Sequence, residues 1–166
     1  MWTIERFNEL PTERAAEALT ACCAAGEWTR AVADARPYAD VDALLAHATA
    51  AFDALDAAAI ARAADAHPPI GRRAAGTDTE SSWSRQEQAA AAAPDTGVAA
   101  ELAEANRAYT ERFGRVFLIC ATGRSAAAIL AEAKRRLGND DDTEAVEVAR
   151  ELRGIVRLRL RKLVGP

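Results

Sequence analysis

His47 and His67 are the two side chains of this 166-residue chain whose ordinary titration falls near neutral pH, so proton transfer is sought there first. His67 ends an alanine-rich stretch and is followed by Pro68-Pro69-Ile70-Gly71. A proline disfavours helical geometry in the residue before it, so His67 stands where a helix gives way to irregular chain and a polar side chain can face a pocket. In that position it could act as a general acid or base; equally, it could be a C-terminal histidine interacting with the helix dipole. Glu87 is the matching carboxylate, either as an acid/base partner or as the far end of a capping box, Ser84-Arg85-Gln86-Glu87, in which both side chains satisfy unpaired amides at a helix start. Arg159 lies four residues after Ile155, three after Val156 and four before Leu163, which puts its guanidinium beside an apolar helical stripe. An arginine so placed requires an anion. Either an internal carboxylate or the carboxylate of a substrate, held by the bidentate guanidinium fork, would serve. Arg153, Arg157, Arg161 and Lys162 read as a solvated face of the same helix.

Other chemistries lack their motifs. The chain has no Gly-x-Gly-x-x-Gly, no Walker loop, no Gly-x-Ser-x-Gly elbow and no His-Glu-x-x-His. Its lysines, Lys134 and Lys162, are flanked by arginine near helix ends, unsuited to a Schiff base with pyridoxal phosphate. Catalysis is therefore expected to need no organic cofactor, and no clustered ligand pattern predicts a metal. A formal charge of −4 argues against a nucleic-acid partner, whose phosphates demand a basic surface. Cys22, Cys23 and Cys120 are odd in number and form no Cys-x-x-Cys pair, which suits a reducing cytoplasm. The first residues lack the basic start and apolar core of a secretory signal, and no apolar run reaches membrane-spanning length, so a cytoplasmic protein with no membrane insertion is expected.

The elements that must position these groups are read from apolar spacing. Half of the residues are hydrophobic and alanine, the best intrinsic helix former, is abundant. Ala15, Leu19, Cys22 and Cys23 share one face of a helix over residues 12–24, with Pro11 suited to its first turn, making both cysteines core residues. A short helix around Trp28, Val32 and Ala35 stops before Pro37, and a longer one carries Val41, Leu44, Leu45, Ala48, Phe52 and Leu55, with His47 one position off the stripe. Residues 56–66 form the helix that stops at His67. Residues 72–83 read as a loop, order resumes at Ser84, and that helix ends by Pro94. A helix from about Val98 to Phe113 stops at Gly114. Val116 to Ala121 is a short apolar run, possible only as a buried segment and too short for a helix of its own. Ser125 caps a helix that stops at Gly138-Asn139, and the acidic run Asp140-Asp141-Asp142 opens a last helix reaching roughly Leu163. With no sustained strand alternation and no repeat, the expected architecture is all-α: a single domain over 1–166, a bundle of about eight helices.

Taken in order, these segments resemble the OHCU decarboxylase family, which acts on 2-oxo-4-hydroxy-4-carboxy-5-ureidoimidazoline in urate degradation. The resemblance is carried by Phe7-Asn8-Glu9-Leu10, Cys22-Cys23 with Trp28, His67-Pro68-Pro69-Ile70-Gly71 and Ser84-Arg85-Gln86-Glu87-Gln88. It continues through Asn106-x-x-Tyr109-x-x-x-Phe113-Gly114, Phe117-Leu118-Ile119-Cys120-Ala121, Gly123-Arg124-Ser125 and Leu158-Arg159-Leu160. No single piece is specific; their order and spacing over nearly the whole chain are. Two departures, Pro69 where relatives carry a charged residue and Ala90 where glycine is frequent, leave the matched His67 and Glu87 untouched.

The resemblance implies a cofactor-independent carboxy-lyase giving (S)-allantoin. His67 would be the catalytic acid/base and Glu87 its partner. Pro68, Ser84, Gln88, the backbone around Phe117, Ile119 and Ala121, and Arg159 would bind substrate. It also implies a homodimer. A small ring bearing a carboxylate and a ureido group asks for an anion clamp and several amide-type hydrogen bonds, which Arg159 and Gln88 can supply. Two rivals remain at this level: a non-catalytic helical binding or regulatory module built around an internal ion-pair network, and a hydrolase acting on a neighbouring ureide, which would want an activated water.

Overall fold

Several helix starts in this chain are written by side-chain oxygens that satisfy otherwise unpaired amides. Asp40 accepts from the Ala43 amide at 2.7 Å, Asp56 from Ala59 at 2.7 Å, Ser125 from Ala128 at 3.2 Å and Asp140 from Thr143 at 2.7 Å. The computed structural model describes residues 1–68, 70, 79–87 and 96–165. Among them lie nine helices: α1 (Ile4–Asn8), α2 (Thr12–Thr20), α3 (Gly26–Asp34), α4 (Val41–Asp53), α5 (Ala57–Asp65), α6 (Thr79–Glu87), α7 (Thr96–Phe113), α8 (Ala126–Arg136) and α9 (Asp141–Leu163). The described residues contain no strand, only an isolated bridge between Trp2 and Val164. The fold is all-α, and the helix beyond the eight expected is α1, whose five residues are too few to show a period. No single helix among the described residues is long and apolar enough to cross a membrane.

The chain divides into two compact units, Met1–Ala63 with the segment from Arg153 onward, and Ala64–Leu152. In the first, Leu19, Trp28, Val32, Leu44 and Phe52 are buried, as the helical spacing predicts, and Phe7 of the unexpected α1 is buried as well. Trp28 Nε1 donates to the Ala48 carbonyl at 2.9 Å, so its ring fills the space between α3 and α4 while its one polar atom is satisfied. Asn8 and Tyr38 exchange two hydrogen bonds, Asn8 Nδ2 to the Tyr38 carbonyl at 2.8 Å and the Tyr38 amide to Asn8 Oδ1 at 2.9 Å. Arg36 closes the same corner by donating to the carbonyls of Ala33, Phe7 and Leu10. Helix α2 is shorter than expected, Pro11 takes its N-cap, and Cys22 and Cys23 follow it in a turn, yet both are buried. His47 is exposed.

Burial, above all, pushes the Cys23 thiol up to about 11, against a smaller lowering by the Ala25 amide and the Arg159 charge. At pH 8 only about one molecule in a thousand would carry this thiolate. A disulfide-exchange reagent should accordingly leave Cys23 unmodified in the native protein and titrate all three cysteines after denaturation. Prompt native labelling of Cys23, located by peptide mapping, would contradict its placement.

In the second unit the core joins Ile70, Leu102, Ala105, Tyr109, Phe113, Phe117, Ile119, Ile129 and Leu130. Gly114 adopts a positive φ of 65° and ends α7, a conformation that L side chains resist. The expected loop is corrected over 79–83, and with it the capping box at Ser84. Helix α6 begins at Thr79, so Ser84 is an interior residue, buried, and cannot cap. Thr79, Ser81 and Ser82 look like turn formers by composition, but each costs a helix only about half a kcal/mol, which packing of the helix face outweighs. Residues 72–78, Pro69, Gly71, Gln88, Ala90 and the expected helix end by Pro94 lie outside the described residues.

Candidate active site

Helix α5 ends at Asp65, and the His67 amide still donates to the Ala64 carbonyl at 3.0 Å, a last tightened turn before the chain leaves helical geometry. The side chain that results is buried, 6% exposed, with Nε2 closed off from solvent. Burying an imidazole is costly unless its polar atoms are used, which makes this position different from exposed His47. Pro68 beside it is half-buried. The next described residue, Ile70, is buried in the core, and its carbonyl accepts from Asn106 Nδ2 of α7 at 2.8 Å. The turn after His67 is thereby tied to α7 by backbone as well as by packing.

Ser84 and Glu87 are three residues apart on α6 and so share a face. Ser84 is buried and Glu87 half-buried. Glu87 lies close enough to Cys120 to act on its charge. The thiol is pushed up by burial first, then by the carboxylates of Glu151 and Glu87, while the Thr122 amide and Arg124 oppose them.

The segment Val116 to Ala121 is neither helix nor strand. Phe117, Ile119 and Ala121 join one core cluster, an alternation that suits extended chain, and Leu118 between them is buried as well. Their side chains are consumed by packing, so whatever these residues offer a ligand comes from the backbone. Outside a sheet, such backbone must find other partners. Arg136 Nη1 donates to the Leu118 carbonyl at 2.8 Å, and the Cys120 amide donates to Glu151 Oε2 at 3.0 Å. Arg136 is itself held by Glu144, through Nε at 2.9 Å and a shorter bond from Nη2, and the Tyr109 hydroxyl donates to the same Glu144 oxygen. Asn139 Nδ2 donates to the other Glu144 oxygen at 2.8 Å. Arg136 also stacks over the Phe117 ring, 4.8 Å from its centroid.

None of Arg136, Glu144, Glu147 and Glu151 is singled out by sequence reading, although a signal exists. The stripe that isolates Arg159 continues N-terminally through Val156, Ile155, Leu152, Glu151, Val148, Glu147 and Glu144, all buried in α9. Carboxylates at stripe positions predict buried partners by the same argument that applies to the arginine.

Arg159 is buried, 1% exposed, as its place beside the stripe requires. It lies in the first unit, where Nη1 donates to the Ala21 carbonyl at 3.0 Å and its charge reaches Cys23. Arg153, Arg157 and Arg161 are exposed, with Arg153 paired to Asp53 and Arg161 to Asp42.

Residues 8–161 match the sequence pattern of the OHCU decarboxylase family. The chain belongs to the OHCU decarboxylase family. It is 33% identical over 136 residues to the 2-oxo-4-hydroxy-4-carboxy-5-ureidoimidazoline decarboxylase of Amia calva, covering 81% of this chain and 78% of that protein. To the mouse decarboxylase of the same name it is 32% identical over 144 residues, covering 86% and 78%. A uric acid degradation bifunctional protein of Arabidopsis thaliana is also 32% identical over 146 residues, 86% of this chain, but the match spans only 45% of that longer protein. An OHCU decarboxylase crystallised in the presence of (S)-allantoin has a similar fold, with a TM-score of 0.74, 28% identity, and coverage of 87% of this chain and 94% of that one.

Among the OHCU decarboxylase features expected of this chain, the structure gathers His67, Pro68, Ser84, Glu87 and the 117–121 backbone into the Ala64–Leu152 unit. Within that unit the Glu87 charge acts on the Cys120 thiol of that backbone. The arrangement has a buried imidazole at a helix exit, a half-buried carboxylate, and extended backbone held from behind by buried charge. It can present a proton donor and amide hydrogen bonds.

Proposed function

We propose that this chain catalyses decarboxylation of 2-oxo-4-hydroxy-4-carboxy-5-ureidoimidazoline to (S)-allantoin in urate degradation. The observation that carries it is the family match over residues 8–161, which takes in every segment bearing a candidate site residue. The bond from the ring to the carboxylate breaks, carbon dioxide leaves, and the electron pair stays on the ring, delocalised into its conjugated system. One proton delivered to one face completes the product. The protein's task is to orient the carboxylate and supply that proton.

His67 is assigned the proton and, with it, the handedness of the product. Glu87 orients the imidazole and favours its protonated form, since a nearby negative charge stabilises a cation. Arg159 is assigned the substrate carboxylate, which its bidentate fork suits. Pro68 shapes the wall beside His67, and Ser84, Gln88 and the backbone of Phe117, Ile119 and Ala121 bind the ring and ureido groups. We further propose that 1–166 acts as one catalytic domain, and that the enzyme works as a homodimer in the cytoplasm. The family resemblance supports the dimer, and three cysteines that form no disulfide suit that compartment.

The test generates the substrate in place from urate with urate oxidase and hydroxyisourate hydrolase, then follows its decay and the circular dichroism of allantoin. Accelerated decay to one enantiomer is expected. Unchanged decay to racemic allantoin in the presence of folded protein would overturn the reading.

A further inference from the structure

In the backbone of residues 118–121 a charged side chain holds the Cys120 amide, whereas no described residue accepts from the amides of its neighbours Ile119 and Ala121. In extended chain the N–H and C=O of a residue point to one side and those of its neighbours to the other. The Leu118 carbonyl and the Cys120 amide both turn to charged side chains, Arg136 at 2.8 Å and Glu151 at 3.0 Å. The amides of Ile119 and Ala121 therefore face the opposite side. Both residues are buried, 5% and 4% exposed, and among the described residues no group accepts from either amide. Buried unpaired amides are rare in folded proteins, and two in alternation describe an edge made for an acceptor-rich ligand.

Glu151 is built to hold that edge. It is 6% exposed, and a buried carboxylate persists only where its oxygens are used. Oε2 accepts the Cys120 amide, and Oε1 lies 3.2 Å from Arg150 Nη2 and 3.6 Å from Arg124 Nη2. Arg124 follows Gly123, whose φ of 79° turns the chain directly after the edge, and the Arg124 amide donates to the Ala121 carbonyl at 3.0 Å. Glu151 thus grips the segment at its middle and, through Arg124, at its end.

We propose that Glu151 is a positioning residue of the decarboxylase: by fixing the Cys120 amide and Arg124, it aims the Ile119 and Ala121 amides at the carbonyl-type oxygens of the substrate. This rests on the decarboxylase reading. Glu151 never touches substrate, so its removal loosens ground state and transition state alike and is read in KM rather than kcat. Two amides thrown off their acceptors should raise KM about tenfold in Glu151→Ala, with kcat within about threefold. Glu151→Gln keeps an acceptor for the Cys120 amide and should hold KM within about threefold of the parent.

Wild-type turnover is measured first, and its absence would overturn the decarboxylase reading. With turnover present, a Glu151→Ala KM within about twofold of the parent, or a Gln variant no better than Ala, would overturn the role of Glu151 alone. Should Glu151→Ala fail to fold, amide exchange on the wild-type protein decides. The Cys120 amide should be protected without ligand, and added allantoin should slow exchange at Ile119 and Ala121 while leaving Cys120 unchanged. Rapid exchange at Cys120, or no effect of allantoin at Ile119 and Ala121, would overturn the proposal.

Discussion

His67→Ala lowers kcat by about a hundred- to ten-thousand-fold, the usual contribution of a positioned acid/base, and the allantoin that still forms is racemic. The imidazole is buried at the exit of α5, and its turn is tied to α7 through the Ile70 carbonyl, so the group has a defined place from which to deliver a proton. His67→Asn, which keeps polarity and approximate size but cannot shuttle a proton near neutral pH, falls in the same range. Single-turnover decay of the substrate, read beside the dichroism of the product, separates lost chemistry from lost binding. A fall of less than about threefold in a folded variant would remove His67 from the reaction and return it to a structural role at the helix end.

Breaking the Arg136–Glu144 pair costs about 3–5 kcal/mol of stability, because deleting one partner strands the other charge out of water. Both side chains are enclosed, 1% and 0% exposed, so solvent screening does not soften the effect. Arg136→Met leaves Glu144 with the Tyr109 hydroxyl and Asn139, neither of which neutralises it. It also abandons the Leu118 carbonyl. Urea unfolding should show a lower midpoint at unchanged slope. The double variant Arg136→Met/Glu144→Leu should recover much of the loss, since an apolar pair of similar volume often replaces a buried ion pair without harm. A single-variant loss below about 1 kcal/mol would mean that the pair is hydrated in solution.

Much of the architecture was legible because helices are local objects. Caps at Ser125 and Asp140, stops at Gly114 and Gly138, and the stripe through α9 depend on residues three or four apart. Where local chemistry was ambiguous, reading failed. Ser84 and Glu87 have capping-box spacing, yet they stand inside α6, because a helix that can bury a face accepts serine and threonine in its interior. Helix α1 was missed for the opposite reason, being too short for a period and held by a cap, the buried Phe7 ring and the contacts of its neighbours.

By itself the sequence determined the all-α class, most helix limits and the burial of Cys22, Cys23 and Arg159; its ordered motifs pointed to the family that the match over 8–161 then established. Each of these depends on the identity of near neighbours or on motif order, which a linear text carries. Only the tertiary structure decided how the Phe117–Ala121 segment is held. Arg136 reaches Leu118 across 18 residues, Glu151 reaches Cys120 across 31, and Glu144 reaches Tyr109 across 35. No spacing rule joins positions so far apart; they meet because buried charge must find buried partners, and folding alone determines which partners are at hand.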